Sequence, residues 1–390
     1  MRAPQPVRPG RLVGIDVARC LALLGMIATH VLDPRTPAGE PSLAHTLASG
    51  RASALFAVLA GVSLALMTGG PRPPAKGHRL RSAAGIAVRA VLIALLGLAL
   101  GDLDSGLAII LAYYGVLFLL GLPFLALRAR PLAVLAAGWV VAGPVVSHLV
   151  RPELPPRGFA SPDLAQLAEP GRLASELLFT GYYPAVPWLA YLLAGMALGR
   201  TDLRGRLVPA LVAAGGAALA VAAYAGSRAL TATERVRTAL FPDAPEVRHA
   251  DLLDAISGSQ HGTTPTGGPW EWLVVVSPHS GTPFDLAQTI GSALLVIGAC
   301  LLVVDLLPPT GRVAVAVLFG AGTMTLTLYS LHVVMRTDAV WPPEEPDSYV
   351  WHVLVVLAIG AVFVALGRRG PLEELVGGPA RALRRPDRPL

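Results

Sequence analysis

The chain has 390 residues, of which 54% are hydrophobic and 14% are charged, and its mean hydropathy is +0.60. Soluble domains carry about 25% charged residues, so this composition excludes an ordinary soluble protein and predicts an integral membrane protein with many spans. The two cysteines, Cys20 and Cys300, both fall in apolar segments. Their positions indicate neither a disulfide framework nor a metal-site spacing.

Apolar stretches of spanning length recur along the whole chain. A stretch of about 20 apolar residues crosses a bilayer as a helix. The predicted spans, about ten in all, are 13–32, 52–68, 83–101, 106–127, 131–150, 184–199, 206–225, 284–306, 313–335 and 349–367. Pro184 and Pro187 interrupt the start of the sixth span, which predicts a bent or re-entrant piece lining a cavity. The expected fold is an all-α polytopic transmembrane bundle.

Arginine-rich segments precede the first predicted span and follow the second, fourth, sixth, eighth and tenth. The positive-inside rule assigns these loops, and both termini, to the cytoplasm. No small-residue cleavage site follows the first apolar run, so we expect an uncleaved first span. The predicted organisation is one transmembrane domain, 1–370, with outer loops 151–183 and 227–283, and a basic cytoplasmic tail, 371–390. We expect short helices near 163–168 and at the start of the second loop.

The first predicted helix contains Asp16, Arg19 and His30, and ionisable residues inside a span are functional candidates by default. Asp16 and Arg19 are three residues apart, so on a helix they share a face and can pair. That pair can equally be an internal salt bridge that fixes the first helix to a neighbour. Arg89 in the third span lies about two turns from the cytoplasmic end. It can bind phosphate groups bidentately or pair with Asp16.

Histidines cluster at one predicted level. Six of the nine histidines are predicted near the outer surface of the bilayer, and two more fall in the large outer loop. In chain order these eight are His30, His45, His148, His249, His261, His279, His332 and His352. Histidine is the commonest side chain for proton transfer near neutral pH, so several at one level indicate a reaction site. No His spacing typical of a metal site occurs, and no metal is expected.

The segment SPHSGTPFD, before the eighth predicted span, combines turn residues with many hydrogen-bonding groups. It can bind a polar substrate through His279 and Ser280. Alternatively, Thr282 caps the helix that begins near Phe284. The chain has no G-x-S-x-G nucleophile elbow, which argues against a serine hydrolase.

The opening segment, RLVGIDVARC, resembles the heparan-α-glucosaminide N-acetyltransferase family of membrane acyltransferases. The family pattern is R-L-x-S-x-D-x-x-R-G, followed by a span ending M-x-x-x-N; here Cys20 replaces the Gly and His30 replaces the Asn. His45, followed by Gly50 and then by Gly61 in the second span, matches the family's loop histidine. The W-N that the family has between His and Gly is absent, and the loop reads HTLASG.

The resemblance implies a bacterial acyltransferase that uses acetyl-CoA as a co-substrate from the cytoplasm. Its phosphates would lie near Arg19 and Arg89, with Asp16 beside them. The family's loop histidine is the proposed acetyl-accepting residue, and the resemblance assigns that role to His45. His30 would orient the acyl group or His45. The residues do not decide whether a histidine acts as nucleophile or as general base.

The acceptor implied by the resemblance is an amine or hydroxyl of an extracytoplasmic glycan or lipid-linked sugar in the cell envelope. His279, Ser280 and His332 are the predicted substrate-binding residues. We expect a multi-pass protein of the bacterial plasma membrane, surrounded by lipid, with a homodimer possible and no nucleic-acid partner. A transporter or flippase of a polar or lipid-linked substrate is the alternative function, and a non-catalytic scaffold is a third.

Overall fold

The computed structural model describes residues 10–158, 160–244, 246–260, 262, 264–342 and 348–382. Within these ranges the regular secondary structure is helical, and the one β-type pairing is an isolated antiparallel bridge between Arg35 and Pro41. The α-helices are α1 (Val13–Val31), α2 (Leu43–Ala48), α3 (Arg51–Met67), α4 (Lys76–Gly101), α5 (Leu111–Gly121), α6 (Ala129–Val150), α7 (Pro170–Ser175), α8 (Ala185–Gly199), α9 (Leu207–Thr231), α10 (Glu234–Leu240), α11 (His249–Ala255), α12 (Pro283–Leu306), α13 (Pro309–Leu318), α14 (Thr325–Met335), α15 (Ser348–Ala365) and α16 (Pro371–Ala382). The predicted all-α class is confirmed.

Seven helical segments of the described chain are long and apolar enough to cross a membrane, or eight if one bent pair counts as a span. These segments are α1, α2 with α3, α4, α6 with the turn after it, α9, α12 and α15. The helices α5, α13 and α14 are apolar but shorter. A multi-pass membrane bundle therefore accounts for the fold, while ten spans and the orientation of the termini stay predictions.

The predicted span 313–335 is broken in the structure. A 3-10 turn, Gly320–Thr323, separates α13 from α14. A Cβ atom on Gly322 would lie 1.8 Å from the Asp16 carbonyl oxygen, and one on Gly320 would lie 2.4 Å from the Gly360 carbonyl oxygen. The backbone of the turn therefore packs directly on α1 and α15, which a continuous helix with larger residues could not do.

The bend expected at the sixth predicted span is confirmed. α7 continues into a π-helical turn, Glu176–Thr180, and residues 181–184 then lead into α8. The two pieces are bent by 55°. Because π-turns and irregular backbone inside a bundle usually line cavities or functional sites, this bend marks a place to look for a site.

Glycines set the contact between α3 and α8. A Cβ atom on Gly195 would lie 1.9 Å from the Val58 carbonyl oxygen, and one on Gly61 would lie 2.2 Å from the Leu192 carbonyl oxygen. Small residues let helix backbones approach closely in membrane bundles. This crossing fixes α3, which begins shortly after α2, the helix that carries His45.

The basic loops meet on one side of the bundle. Arg200 donates to the carbonyl oxygens of Thr68 and Leu125, at the ends of two other helices. Arg204 donates to the carbonyl oxygen of Gly10, and Arg206 pairs with Asp305 at 2.5 Å. These contacts bring several of the Arg-rich segments to one surface, which we call the basic face; the other end of the bundle is the opposite face.

The opposite face carries a small lobe, formed by the described part of residues 232–276. Its helical pieces, α10 and α11, confirm the helices expected at the start of the second outer loop. The lobe has an apolar core of its own, formed by Val236, Leu240, Leu252, Ile256 and Val275. The helix expected near 163–168 is a 3-10 helix, Ala165–Ala168.

The predicted tail begins as a helix on the basic face. α16 packs against α4, and the Glu373 carboxylate accepts from the backbone N–H groups of Leu326 and Thr327 at the start of α14. A carboxylate at a helix N-terminus is stabilised by the helix dipole. Residues 383–390 of the tail, and residues 343–347 of the loop predicted at 338–347, lie outside the described residues.

Candidate active site

A cavity of about 330 Å³ opens on the opposite face and brings three of the predicted histidines together. We call it the histidine cavity. Its lining includes His30 from α1, His45 from α2 and His279 from the turn before α12, with Tyr182 and Tyr183 from the bend between α7 and α8. Residues nearly 250 positions apart in the sequence therefore share one concave surface.

His45 is held in a defined orientation. Ser42 caps α2, and its hydroxyl accepts from the His45 backbone N–H at 3.2 Å. The ring Nε2 of His45 lies 2.8 Å from the Ser257 carbonyl oxygen. A carbonyl oxygen only accepts, so Nε2 carries the hydrogen and Nδ1 keeps its lone pair. The half-buried ring thus offers one basic or nucleophilic nitrogen.

The lobe is attached at this point by an arginine. Arg35 pairs with Asp254 at 2.8 Å, and it also donates to the Ser257 hydroxyl at 3.0 Å. Ser277 donates to the carbonyl oxygens of Ile256 and Gly258 from the other side. The segment that orients His45 is therefore fixed to both neighbouring loops.

His279 has the left-handed backbone conformation, with φ at 56°. Positive φ is uncommon for residues other than glycine and concentrates at functional positions. Its ring lies 4.8 Å from that of Tyr182 and 5.6 Å from that of Tyr183, measured between centroids. Ser280, the next residue, is 2% exposed. Thr282 accepts from the Asp285 backbone N–H, which confirms it as the cap of the following helix.

Behind His30 lie two further histidines. Nδ1 of His30 is 3.1 Å from Nε2 of His332, and Nδ1 of His332 is 3.0 Å from Nδ1 of His352. His332 is fully buried and His352 is 1% exposed. We call these three residues the histidine chain. His332 therefore contacts His30 from inside the bundle, and His30 lies between His332 and the cavity.

The described residues include no group of three or more His, Cys, Asp or Glu side chains arranged to hold a metal ion. In the histidine chain the nitrogens face each other across 3.0 to 3.1 Å. These distances are those of hydrogen bonds.

A second cavity, of about 700 Å³, shares His30, Tyr182 and Tyr183 with the first. We call it the polar cavity, because charged residues of both signs line it. Its charged lining is Asp102, Asp104, Arg157, Glu176 and Arg336. His30 thus lines two adjacent cavities on the opposite face.

A third cavity, of about 270 Å³, contains both arginines predicted at the inner level, Arg19 and Arg89. We call it the inner cavity. Arg19 pairs with Asp16 at 3.0 Å and donates to the Ser63 hydroxyl at 2.7 Å. The predicted Asp16–Arg19 pair is confirmed, and Asp16 also receives Arg11 at 2.6 Å.

Tyr114 links the lining of the inner cavity to that of the histidine cavity. Its ring lines the inner cavity, while its hydroxyl donates to the carbonyl oxygen of Ser53 at 3.3 Å. Ser53 lines the histidine cavity, and the two linings have no residue in common. The linings of the two cavities therefore touch at this contact.

Residues 11–232 match the family model "Heparan-alpha-glucosaminide N-acetyltransferase, catalytic", which is more than half of the chain. The chain belongs to this family. No curated protein matches the chain. The N-acetyltransferase match includes Arg19, Arg89, His30 and His45, and it ends before His279.

Several predicted histidines do not join the histidine cavity. His148 packs on Trp270, with ring centroids 4.6 Å apart. His249 lies 3.1 Å from the Thr231 hydroxyl; burial, reinforced by two nearby arginines, lowers its pKa below the ordinary value of 6.5. His261 lies outside the described residues.

The sequence interpretation missed Arg35, Tyr182, Tyr183 and Ser257. The two tyrosines directly precede Pro184, where a bent, cavity-lining piece was expected, so their position carried a usable signal. Arg35 and Ser257 lie in loops without periodicity. They reach the histidine cavity only through tertiary contacts between the lobe and the loop after α1.

Proposed function

We propose that this protein transfers an acetyl group from acetyl-CoA, bound in the inner cavity, to an amine or hydroxyl group on the opposite face. One observation carries the proposal: α1 has the inner cavity's Arg19 near one end and the histidine cavity's His30 at the other. Eleven residues of helix separate them by about 16 Å. An extended pantetheine arm can cover that distance.

The inner cavity suits the phosphate groups of acetyl-CoA. Guanidinium groups bind phosphate bidentately and keep their charge. Arg19 and Arg89 supply two of them to one cavity. Asp16 accepts from Arg19 and limits its rotation, so Asp16 orients the cation. The Tyr114–Ser53 contact must open for the thioester to reach the histidine cavity.

At the outer end, His45 is the proposed acetyl-accepting residue, the role implied by the family pattern. Its Nδ1 attacks the thioester carbon, the C–S bond breaks, and the thiolate of coenzyme A leaves with the bonding electrons. The Ser257 carbonyl supports this step because it keeps the hydrogen on Nε2. The acceptor then attacks the acetyl group on His45 and releases the imidazole.

The polar cavity is the proposed acceptor site. Its carboxylates and arginines can hydrogen-bond the hydroxyl and amino groups of a sugar, and the Tyr182 and Tyr183 rings offer flat apolar faces. His279 borders the same tyrosines and is proposed to contact the acceptor. Ser280 and His332 are buried, so they support the substrate-binding residues from behind.

The positive-inside rule completes the proposal. The basic face is the cytoplasmic side of a bacterial plasma membrane, and the acceptor is a glycan or lipid-linked sugar of the cell envelope. Membrane lipid surrounds the bundle, and a homodimer is a further proposal.

The test is acetyl transfer from radiolabelled acetyl-CoA to glucosamine by the purified protein in lipid nanodiscs. His45→Ala should reduce the rate about a hundredfold or more while acetyl-CoA still binds. His78→Ala is the matched control, because His78 is an exposed histidine on the basic face, and it should keep the wild-type rate. Transfer that is unaffected by His45→Ala would overturn the assignment. Absence of transfer by the wild-type protein, with movement of a polar substrate across liposomes, would favour a transporter.

A further inference from the structure

The histidine chain is a continuous row of three imidazoles. It begins at His30, which lines the histidine cavity and the polar cavity, and it ends at the buried His352. It joins α1, α14 and α15 through His30, His332 and His352. The rings of His30 and His332 are nearly parallel, at 5° and 5.3 Å between centroids. His332 and His352 meet edge to face, with centroids 4.8 Å apart.

Hydrogen-bonding rules couple the three rings. A neutral imidazole has one N–H donor and one acceptor nitrogen. Both nitrogens of His332 face another imidazole, so His332 must donate to one neighbour and accept from the other. In one state His30 donates through Nδ1 and His332 donates onward to His352. In the other state both hydrogen bonds run in the opposite direction.

The direction of the two hydrogen bonds determines which ring nitrogen of His30 carries the hydrogen. When His30 donates through Nδ1, its Nε2 has a free lone pair and can accept a proton. When His332 donates to His30 instead, Nε2 of His30 carries the hydrogen. His352, at the buried end, therefore influences the nitrogen that His30 presents at the other end of the row.

We propose that the histidine chain is a proton relay, in which His332 and His352 act through His30 on the acetyl transfer. This inference rests on the proposed function. His30 is the catalytic residue of the three, and the other two are positioning residues. The family pattern has Asn at the position of His30, and an amide does not take up a proton. The relay is therefore inferred from this chain's own contacts.

The proton balance is complete for an amine acceptor. The acceptor nitrogen forms a bond to the acetyl carbon as the bond from that carbon to His45 breaks. The proton lost by the acceptor moves to Nε2 of His30. The Nδ1 hydrogen of His30 moves to Nε2 of His332, and the Nδ1 hydrogen of His332 moves to Nδ1 of His352. The reverse shifts return one proton through His30 to the thiolate of coenzyme A.

Burial argues that the row is more than ordinary packing. Polar groups removed from water are costly unless they are hydrogen-bonded, and apolar side chains would fill the same space without that cost. His332 has both ring nitrogens matched by imidazole nitrogens rather than by backbone groups. A row of groups that both donate and accept is what transfer of a proton along it requires.

The kinetic experiment compares wild type, His332→Gln and His148→Gln in the glucosamine assay. Gln fills similar space and hydrogen-bonds, but it does not pass a proton on. We expect His332→Gln to lower kcat about a hundredfold with an unchanged KM for acetyl-CoA. His148→Gln, a buried histidine outside the row, should keep the wild-type kcat. Wild-type kcat in His332→Gln would overturn the relay.

Two further measurements separate the relay from folding and from the proposed function. Imidazole added to His352→Gly should restore most of the lost kcat, which a collapsed bundle would not allow. Nitrogen NMR of histidine-labelled protein reports which ring nitrogen carries the hydrogen and needs no turnover. His352→Leu should change that ratio at His30, and an unchanged ratio would overturn the relay. If wild type transfers no acetyl group, the proposed function fails, while the NMR result still decides whether the row is coupled.

Discussion

Replacing Arg19 by Ala should weaken acetyl-CoA binding far more than it weakens the fold. Arg19 donates to Asp16 and Ser63 and lines the inner cavity with Arg89. After the substitution Asp16 still pairs with Arg11 at 2.6 Å. The cost to the free energy of unfolding should therefore stay within about 1 kcal/mol, as for partly exposed ion pairs.

The expected loss of affinity follows from the lost phosphate contact. A hydrogen bond to a charged group contributes about 1.5–3 kcal/mol. The Arg19 side chain is 23% exposed, so water screens it and the lower half of that range applies. A loss of about 1.5–2 kcal/mol corresponds to a rise in Kd of about tenfold to thirtyfold.

Isothermal titration of acetyl-CoA into nanodisc-embedded protein measures this Kd, and thermal unfolding measures the stability. Arg11→Ala is the matched control: it breaks the other contact to Asp16, and Arg11 is absent from the lining of the inner cavity. It should leave Kd within about threefold of wild type. Equal effects of the two substitutions on Kd, or an unchanged Kd in Arg19→Ala, would refute the role given to Arg19.

Three further predictions concern the scaffold. Gly195→Ala should destabilise the bundle by about 1–3 kcal/mol, because the added Cβ would clash with the Val58 carbonyl oxygen. Thermal unfolding measures this change. The control is Gly138→Ala, whose Cβ has no atom within 4 Å, and it should be neutral or stabilising. In the same assay Arg200→Ala should lower the free energy of unfolding by about 3 kcal/mol, because the buried guanidinium donates hydrogen bonds to backbone carbonyl oxygens of three segments. His249 has a lowered pKa, so the unfolded lobe binds a proton more readily and the stability of the lobe falls as pH drops below about 6.5. Protection factors for hydrogen exchange in α11 should therefore be lower at about pH 5.5 than near neutral pH, and His249→Gln should not show this difference.

Local physical rules were sufficient for several parts of the fold and site. The Asp16–Arg19 pair follows from helix periodicity, because residues three apart share a face. The cap at Thr282 follows from the preference for a hydroxyl before a helix. The bend before α8 follows from Pro184, which cannot continue a helix from the preceding segment.

Other parts depend on contacts that the sequence does not display. The segment around Gly320 and Gly322 is apolar throughout, so hydropathy reads it as one span. The break arises because that backbone packs on α1 and α15. The histidine chain is equally hidden: His30 and His332 are 302 residues apart, and only the arrangement of three helices brings their nitrogens within 3.1 Å. The predicted topology placed these histidines near one surface of the membrane, but it did not indicate which of them contact each other.

The contact between Tyr114 and Ser53 has a consequence for the energy stored across the membrane. A potential of 100 mV is worth about 2.3 kcal/mol for each elementary charge, and a continuous water-filled passage would let ions run down that gradient. Here the tyrosine hydroxyl meets a backbone carbonyl where the two cavities approach each other. In the proposed reaction an uncharged thioester is all that has to pass this contact. If the reaction proceeds as proposed, an acetyl group therefore crosses at this contact without a water-filled passage through which ions could follow.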